Sequence, residues 1–147
     1  LVAAFEGMRR RLAEAGVGAD GFLVQSQVSG GREVIMGITR DPAVGSLVMV
    51  GMGGVAVEVW KDVSFRVAPI TGEDAEAMLA ELKGARLLGA FRGRPAGDGV
   101  ALIQALVGLS VLAASHPEIV ECDVNPLLVM DEGQGCVAVD VRVRVAG

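Results

Sequence analysis

Short β-rich runs begin at Phe22, and they constrain the fold more than any other feature of the sequence. Gly, Pro or Asp separates neighbouring runs, which is typical of strands joined by tight turns. The runs are FLVQSQV, EVIMGITR, SLVMVG, VAVEVW and FRVAPI. Connections this short suit antiparallel neighbours, because parallel strands need a long crossover. We therefore expect a meander of mainly antiparallel strands.

Three segments have the periodicity of helices instead. Residues 1–15 place apolar side chains three and four positions apart, and glycines follow them. Thr71 opens a capping-box-like sequence before a second helix that is expected to end near Lys83. Asp98 can cap a third helix, which stops near Pro117. Helices segregated to one face of an antiparallel sheet predict an α+β fold.

The composition indicates one compact domain over residues 1–147 and excludes some partners. Hydrophobic residues make up 52% of the chain, which is ample for a core. The net charge is -5, and the basic residues are scattered apart from the run Arg9 to Arg11, so nucleic acid is not an expected partner. The most apolar stretch, residues 100–114, is interrupted by polar residues and is shorter than a membrane span requires.

The cysteines and the single histidine do not form a recognisable reactive site. Cys122 and Cys136 are too few for a disulfide scaffold and lack metal-ligand spacing, so we expect buried thiols in a cytoplasmic protein. His116 has no partnered acid or Cys signature around it and is expected to be an ordinary helix-end residue. The chain begins at Leu1 rather than at Met, which we interpret as a fragment of a longer protein.

The C-terminal hairpin carries the most informative polar residues. The runs IVECDVNPLLVM and CVAVDVRVRV flank DEGQG, and a turn centred between the Glu and the Gly places Asn125 opposite Asp140. Asp123 lies two residues before Asn125 and therefore on the same face. A carboxylate and an amide oxygen across a ladder suit magnesium. A solvated polar face, with Asp123 paired to Arg142, is the alternative that the residues alone leave open.

Several blocks of sequence, in the same order, resemble the β part of ADP-forming acetyl-CoA or acyl-CoA synthetases, which are related to succinyl-CoA synthetase. The blocks are GREVIMGITRDPAVGSLVMVGMGGVAVEVWKDVSFRVAPIT, AFRGRP, PEIVECDVNPLLV and AVDVRV, from about Gly21 to Val143. The resemblance implies the C-terminal lobe of an ATP-grasp domain. The segment from Asp41 to Ser46 departs from the family's Phe-Gly-Pro-like sequence, which affects the substrate side and not the fold.

The resemblance also implies an activity. Enzymes of this family convert an acyl-CoA, ADP and phosphate to the acid, ATP and CoA through an acyl phosphate. A histidine of a CoA-binding partner region carries the phosphoryl group, and the nucleotide-grasping domain exchanges it with ADP or ATP and magnesium. Asn125 and Asp140 match the magnesium ligands of the family, in agreement with their expected pairing. Asp123 matches an acidic position that approaches the phosphohistidine, which implies a catalytic role.

A second group of residues matches the nucleoside side of the family's site. Gln25, Ser26, Gln27 and Val28 match a hinge strand that binds adenine through backbone groups, and Glu33 matches a ligand of the ribose hydroxyls. Backbone recognition needs an extended edge, so the side chains there can vary. Ordinary strand residues are the alternative for each of the hinge side chains.

Other residues in these blocks receive structural interpretations. The turn Gly51 to Gly54 is expected to serve a tight strand connection rather than to line the phosphates. Arg92 and Arg94 are expected to be exposed loop residues, with steering of phosphate charge as the alternative. Glu58 and Asp62 receive no role.

The family resemblance implies partners beyond this chain. They are an N-terminal ATP-grasp lobe, which contributes a phosphate-binding Lys, and a CoA-binding domain or subunit with the phosphohistidine. Two functions follow: half of the nucleotide cleft of an acyl-CoA synthetase, or a non-catalytic sensing or interaction domain fused to an acetyltransferase. The presence of both Asn125 and Asp140 favours the first.

Overall fold

The computed structural model describes residues 1–54, 62–91 and 93–147. The strands are β1 (Arg32–Asp41), β2 (Gly45–Met52), β3 (Val63–Val67), β4 (Ile119–Val129), β5 (Cys136–Ala138) and β6 (Val141–Val145). The helices are α1 (Val2–Glu14), α2 (Gly72–Glu81) and α3 (Gly99–Ser115), and a 3₁₀ helix spans Lys83–Leu87. These elements confirm the predicted α+β class.

The strands form one sheet in the order β3–β2–β1–β4–β5, and β6 also pairs with β4. Each of the five pairings is antiparallel, as the short connections predict. β1 and β2 are joined by a tight turn, whereas β4 reaches β1 only after α2 and α3 have crossed one face of the sheet. The hairpin with the predicted polar residues is thereby added beside β1 in the middle of the sheet.

α2 and α3 cover one face of the sheet, which we call the inner face. Val34, Val48 and Val50 are fully buried there, against Met78 of α2 and Leu106 of α3. The apolar stripe predicted for α3 is confirmed, because its members are all buried: Leu102, Leu106, Leu109 and Ala113. The opposite face, which we call the outer face, lies away from these helices.

α1 does not join this core. None of its residues is buried, although Phe5 contacts Phe22 edge to face with ring centroids 4.8 Å apart. The prediction of helices on one face therefore holds for α2 and α3, and α1 lies against residues 22–25 instead.

Three of the predicted strands differ from the structure or lie outside the described residues. The run FLVQSQV is not a strand: residues 22–28 are irregular, because β propensity without a neighbouring strand to bond leaves the backbone unpaired. FRVAPI is shifted, since β3 begins at Val63 and ends at Val67, before Pro69. The run VAVEVW, with Glu58, lies outside the described residues.

Side-chain caps begin both helices that build the core. Thr71 and Asp74 form a reciprocal capping box at α2, in which the Asp74 N–H donates to Thr71 Oγ1 at 3.1 Å. Asp98 Oδ1 accepts from the N–H of Ala101 at 3.0 Å and caps α3. Both predicted starts are confirmed, and α2 ends at Glu81, just before the 3₁₀ helix.

Asp62, which received no role from the sequence, holds the start of the 3₁₀ helix. Its side chain is buried, and its two carboxylate oxygens accept from the N–H of Lys83 at 2.8 Å and of Gly84 at 2.7 Å. These N–H groups begin a helix and have no partner within it, so the carboxylate satisfies them.

We expect Asp62→Ala to destabilise the protein. Leaving two N–H groups without an acceptor costs about 1–3 kcal/mol each, so the free energy of unfolding should fall by roughly 2–4 kcal/mol. Urea unfolding measures the change, with the exposed Asp20→Ala as control. Equal stabilities of the two variants would contradict the assigned contacts.

Candidate functional site

The C-terminal hairpin has the predicted register. Val124 pairs with Val141, and the N–H of Asn125 donates to the carbonyl oxygen of Asp140 at 3.0 Å. The same register continues to the pair Val129 and Cys136 beside the turn. The expected cross-strand pairing of Asn125 with Asp140 is therefore confirmed. The turn fixes this pairing locally, because the first pair beside the turn sets the register of every later pair along the two strands.

Asp123, Asn125 and Asp140 lie together on the outer face. Val124, between the first two, is 4% exposed and packs in the inner core, so its neighbours on β4 point the other way. Asn125 and Asp140 are exposed, and Asp123 is half-buried. The structure thus brings together the three residues that the sequence placed on one face.

A β-bulge lies at this point of β4. Val34 pairs with Leu127 and Met36 with Val124, so Asn125 and Pro126 together face the single residue Ile35 of β1. The bulge accommodates a proline, which has no N–H for the ladder. Bulges are common beside active sites, where they redirect side chains. A proline within a strand sequence indicates an edge or an irregularity, and at Pro126 the structure has the irregularity.

The polar groups of the site are left open. Within residues 1–54, 62–91 and 93–147, no side-chain hydrogen bond or ion pair involves Asp123, Asn125 or Asp140. The neighbouring acid, Glu121, does pair with Arg144 at 2.9 Å. The alternative in which Asp123 is tied up by Arg142 is not what the structure contains, and the open oxygens can take a ligand.

The donor set decides which metal would fit. In the described part of the chain, no three His, Cys, Asp or Glu side chains gather as a metal site. A structural zinc site, which is closed by four N or S ligands, is therefore not built here. Asn125 and Asp140 offer one amide oxygen and one carboxylate. This set suits magnesium, which is often held by one or two carboxylates while waters and phosphates complete its shell.

A hollow of about 190 Å³ adjoins Asp123 on the outer face. Its lining includes Gly37, Met49, Phe65 and Asp123. Gly37 pairs with Asp123, and a Cβ there would lie 2.7 Å from the carbonyl oxygen of Cys122, so only glycine fits. Sequence reasoning missed Gly37, although an isolated glycine inside a strand pattern indicates a close backbone approach.

Glu33 occupies a different part of the same strand. It is exposed near the start of β1 and lines a pocket of about 310 Å³ with Phe91 and Arg94. Its carbonyl oxygen accepts from the N–H of Gly53 at 2.7 Å, and a Cβ at Gly53 would lie 2.6 Å from the Glu33 carbonyl carbon. Gly53 therefore allows a close approach to the backbone of β1, whereas the connection from β2 to β3 runs through residues outside the described ranges, so the expected tight connection stays a prediction.

Gln25 of the predicted hinge and Glu33 line different pockets. Gln25 lines an apolar hollow of about 420 Å³ together with α1, not the pocket of Glu33. Ser26, Gln27 and Val28 belong to the irregular segment and do not form the extended edge that was expected. The hollow beside α1 is almost wholly apolar, so its lining offers few groups suited to phosphate.

The remaining reactive side chains have ordinary environments. Cys122 is buried and Cys136 half-buried, and both are free thiols. Burial raises the pKa of the Cys122 thiol, and it raises the pKa of Cys136 to about 11. His116 is exposed, with Nδ1 2.9 Å from Glu118 Oε1. Arg94 is exposed, as expected, and Arg92 lies outside the described residues.

Two buried polar side chains anchor the hairpin turn to the rest of the fold. Arg32 donates to the carbonyl oxygen of Leu87 at 2.9 Å, to that of Pro95, and to Asp131 Oδ1 at 3.2 Å. Asp98 caps α3 and also accepts from the N–H of Gly135 at 2.8 Å. The turn that sets the register of Asn125 and Asp140 is therefore held from two sides.

The chain is similar to known proteins over most of its length. A profile of the ATP-grasp domain matches residues 1–145. The ADP-forming acetate–CoA ligase I of Archaeoglobus fulgidus is 48% identical over 118 residues, 80% of this chain and 17% of that protein. The beta subunit of the ADP-forming acetate–CoA ligase II of Pyrococcus furiosus is 40% identical over 128 residues, 86% of this chain and 54% of that protein.

Solved structures of a related protein show the same similarity. Acetyl-coenzyme A synthetase 1 of Candidatus Korarchaeum cryptofilum, in complex with coenzyme A and Mg-AMPPCP, superposes with a TM-score of 0.75 at 42% identity, over 81% of this chain and 55% of that chain. Its apo form superposes with a TM-score of 0.84 over 97% of this chain and 66% of that chain. This chain thus spans about half to two thirds of these subunits.

None of the helices in the described ranges has the length and apolar character needed to span a bilayer.

We expect the link between α3 and the hairpin turn to weaken in acid. The N–H of Ala101, and next that of Gly135, hold the pKa of Asp98 below its ordinary value of 3.8. A group with a lowered folded pKa stabilises the protein above its unfolded pKa, and this stabilisation is lost as pH falls through the folded pKa. Urea unfolding should therefore show a smaller loss of stability below about pH 4 in Asp98→Asn than in the unchanged protein. Parallel pH profiles would contradict this role, and the exposed Asp20→Asn is the control.

Proposed function

Since the chain belongs to the ATP-grasp domain family, we propose that residues 1–147 form the C-terminal subdomain of a nucleotide cleft in an ADP-forming acyl-CoA synthetase. The observation that carries this proposal is the open pair of Asn125 and Asp140 on the outer face, beside the unpaired carboxylate of Asp123. The ligand is ADP or ATP with magnesium. The relatives named above, two acetate–CoA ligases and a synthetase solved with Mg-AMPPCP, support this substrate class.

Asn125 and Asp140 are the residues that would hold the magnesium ion. Their oxygens are of the hard type that the ion prefers, and the outer face leaves the rest of its shell to water and phosphate. When bound, the ion neutralises charge on the phosphate groups during transfer. Asp123 is two positions before Asn125 on β4, on the same face. Its carboxylate would accept a hydrogen bond from the histidine of the partner region and so orient the ring.

The nucleoside would extend from this pair toward the start of β1. The carboxylate of Glu33 is exposed on the outer face and would accept hydrogen bonds from the ribose hydroxyls. The backbone from Gln25 to Val28 would bind adenine, which requires these residues to become the extended edge they do not form here. The backbone groups of this segment are not paired in a strand, so they are available to form such an edge.

Catalysis would require partners. We infer an N-terminal ATP-grasp lobe, with a phosphate-binding Lys, and a CoA-binding domain or subunit that carries the phosphohistidine. Beta subunits among the relatives support the presence of other domains or subunits. Phosphoryl transfer depends on positioning and on cations around the transferred group, so half of the cleft is inactive by itself. Free thiols at both cysteines accord with a cytoplasmic location.

Calorimetric titration with ADP, with and without magnesium, tests the proposal on this chain assembled with its N-terminal ATP-grasp lobe. Magnesium should tighten ADP binding, and Asn125→Ala or Asp140→Asn should remove this gain, by roughly tenfold or more in affinity. Without magnesium the variants should bind like the unchanged protein. Glu132→Gln, an exposed carboxylate in the same hairpin, is the control and should retain the full effect. ADP binding that is insensitive to magnesium would exclude the metal pair, and no nucleotide binding would favour a non-catalytic interaction domain.

A second titration tests the nucleoside side. Glu33→Ala should weaken ADP binding by about 1.5–3 kcal/mol, because it removes a charge-assisted contact. The control is Glu76→Ala on the exposed side of α2. If Glu33 binds the ribose, the unchanged protein should bind 2′-deoxy-ADP more weakly than ADP. The Glu33→Ala variant should bind these two nucleotides with similar affinities. Additive effects of the two changes would remove Glu33 from the site.

A further inference from the structure

β6 presents two arginines on the outer face, and they differ in their partners. Arg144 pairs with Glu121 in the ladder and donates from Nε to Glu121 Oε2 at 2.9 Å. Arg142 pairs with Asp123 in the same way, yet nowhere in the described ranges does its side chain form a hydrogen bond or ion pair. The neighbouring pair demonstrates that this cross-strand geometry permits an ion pair. Asp123 and Arg142 are both left open.

Arg142 also lies next to the candidate metal pair. Asp140 is two residues earlier in the chain and therefore on the same face, and Asn125 pairs with Asp140. Arg142 is diagonal to Asn125 in this ladder, and diagonal neighbours are about 7–8 Å apart, which is within reach of a long side chain such as arginine. A phosphate that is held on a cation at Asn125 and Asp140 is thus within reach of the Arg142 guanidinium.

The carboxylate of Asp123 adds negative charge at the place where a phosphate would bind. On its other side Asp123 pairs with Gly37, which has no side chain, and the hollow of about 190 Å³ opens there. A phosphate that approaches this hollow meets the negative charge of Asp123 and is repelled. A guanidinium directly across the ladder offsets that repulsion without removing the carboxylate.

We propose that Arg142 is a phosphate-binding residue whose guanidinium binds oxygens of the phosphoryl group transferred at the outer face. This inference rests on the proposed function, since it concerns the same site. The guanidinium is always charged, and its planar fork matches two oxygens of a phosphate. The transferred phosphoryl group can arrive on the nucleotide or on a phosphorylated histidine. During transfer it occupies the same position in both directions of the reaction.

The test compares Arg142→Gln with Arg144→Gln, the matched control on the same strand and face. Calorimetry on this chain assembled with its N-terminal ATP-grasp lobe measures binding of Mg·AMPPCP, which carries the transferred phosphoryl position, and of Mg·ADP, which lacks it. Arg142→Gln should weaken Mg·AMPPCP binding at least about tenfold while Mg·ADP binding changes much less. Arg142→Lys should give an intermediate loss, because it keeps the charge but not the fork. Arg144→Gln should bind both nucleotides like the unchanged protein.

The other outcomes separate the two proposals. If the unchanged protein binds both nucleotides and the two glutamine variants behave alike, the role of Arg142 is overturned while the proposed function stands. Equal weakening of both nucleotides by Arg142→Gln overturns its assignment to the transferred group. If the unchanged protein binds neither nucleotide, the proposed function is overturned, and this inference with it. Thermal unfolding verifies that the variants are folded, and an exposed arginine should shift it little.

Discussion

The pairing of β1 with β4 is the constraint on which the rest of the structure depends. β1 contributes Val34 and Met36 to the core, and β4 contributes Val124 and Leu127 opposite them. Without this ladder the C-terminal hairpin would have no place in the sheet, because among the described strands β5 and β6 pair with β4 alone. β1 and β4 are far apart in the chain, so their pairing is a non-local contact, which forms more slowly than local ones.

The same pairing creates the outer-face site. It places Asp123 beside Gly37, and it puts the bulge of Asn125 and Pro126 opposite one residue of β1. At the other end of the hairpin, Arg32 and Asp98 fix the turn to the 3₁₀ helix, the following loop and α3. Site residues held on strands and supported by buried hydrogen bonds keep their geometry better than residues on free loops.

Four aspartates of this protein fall into two kinds, and the difference reflects burial. Asp62 and Asp98 are buried, and backbone N–H groups occupy their oxygens. Asp123 and Asp140 have no such partners in the described residues, and solvent reaches them on the outer face. Buried charge must be satisfied within the fold, whereas open charge at a site remains available for a ligand.

The sequence by itself determined the features whose partners are close in the chain. Thr71 and Asp98 cap their helices through contacts three residues away, and the turn after β4 fixes Asn125 opposite Asp140 because antiparallel pairing propagates from the turn. The tertiary structure decided what depends on distant segments. It set Gly37 beside Asp123, gave Asp62 its N–H partners and left residues 22–28 without a strand. Local hydrogen bonds can be inferred from spacing, but strand partners and buried contacts exist only once separate elements have packed together.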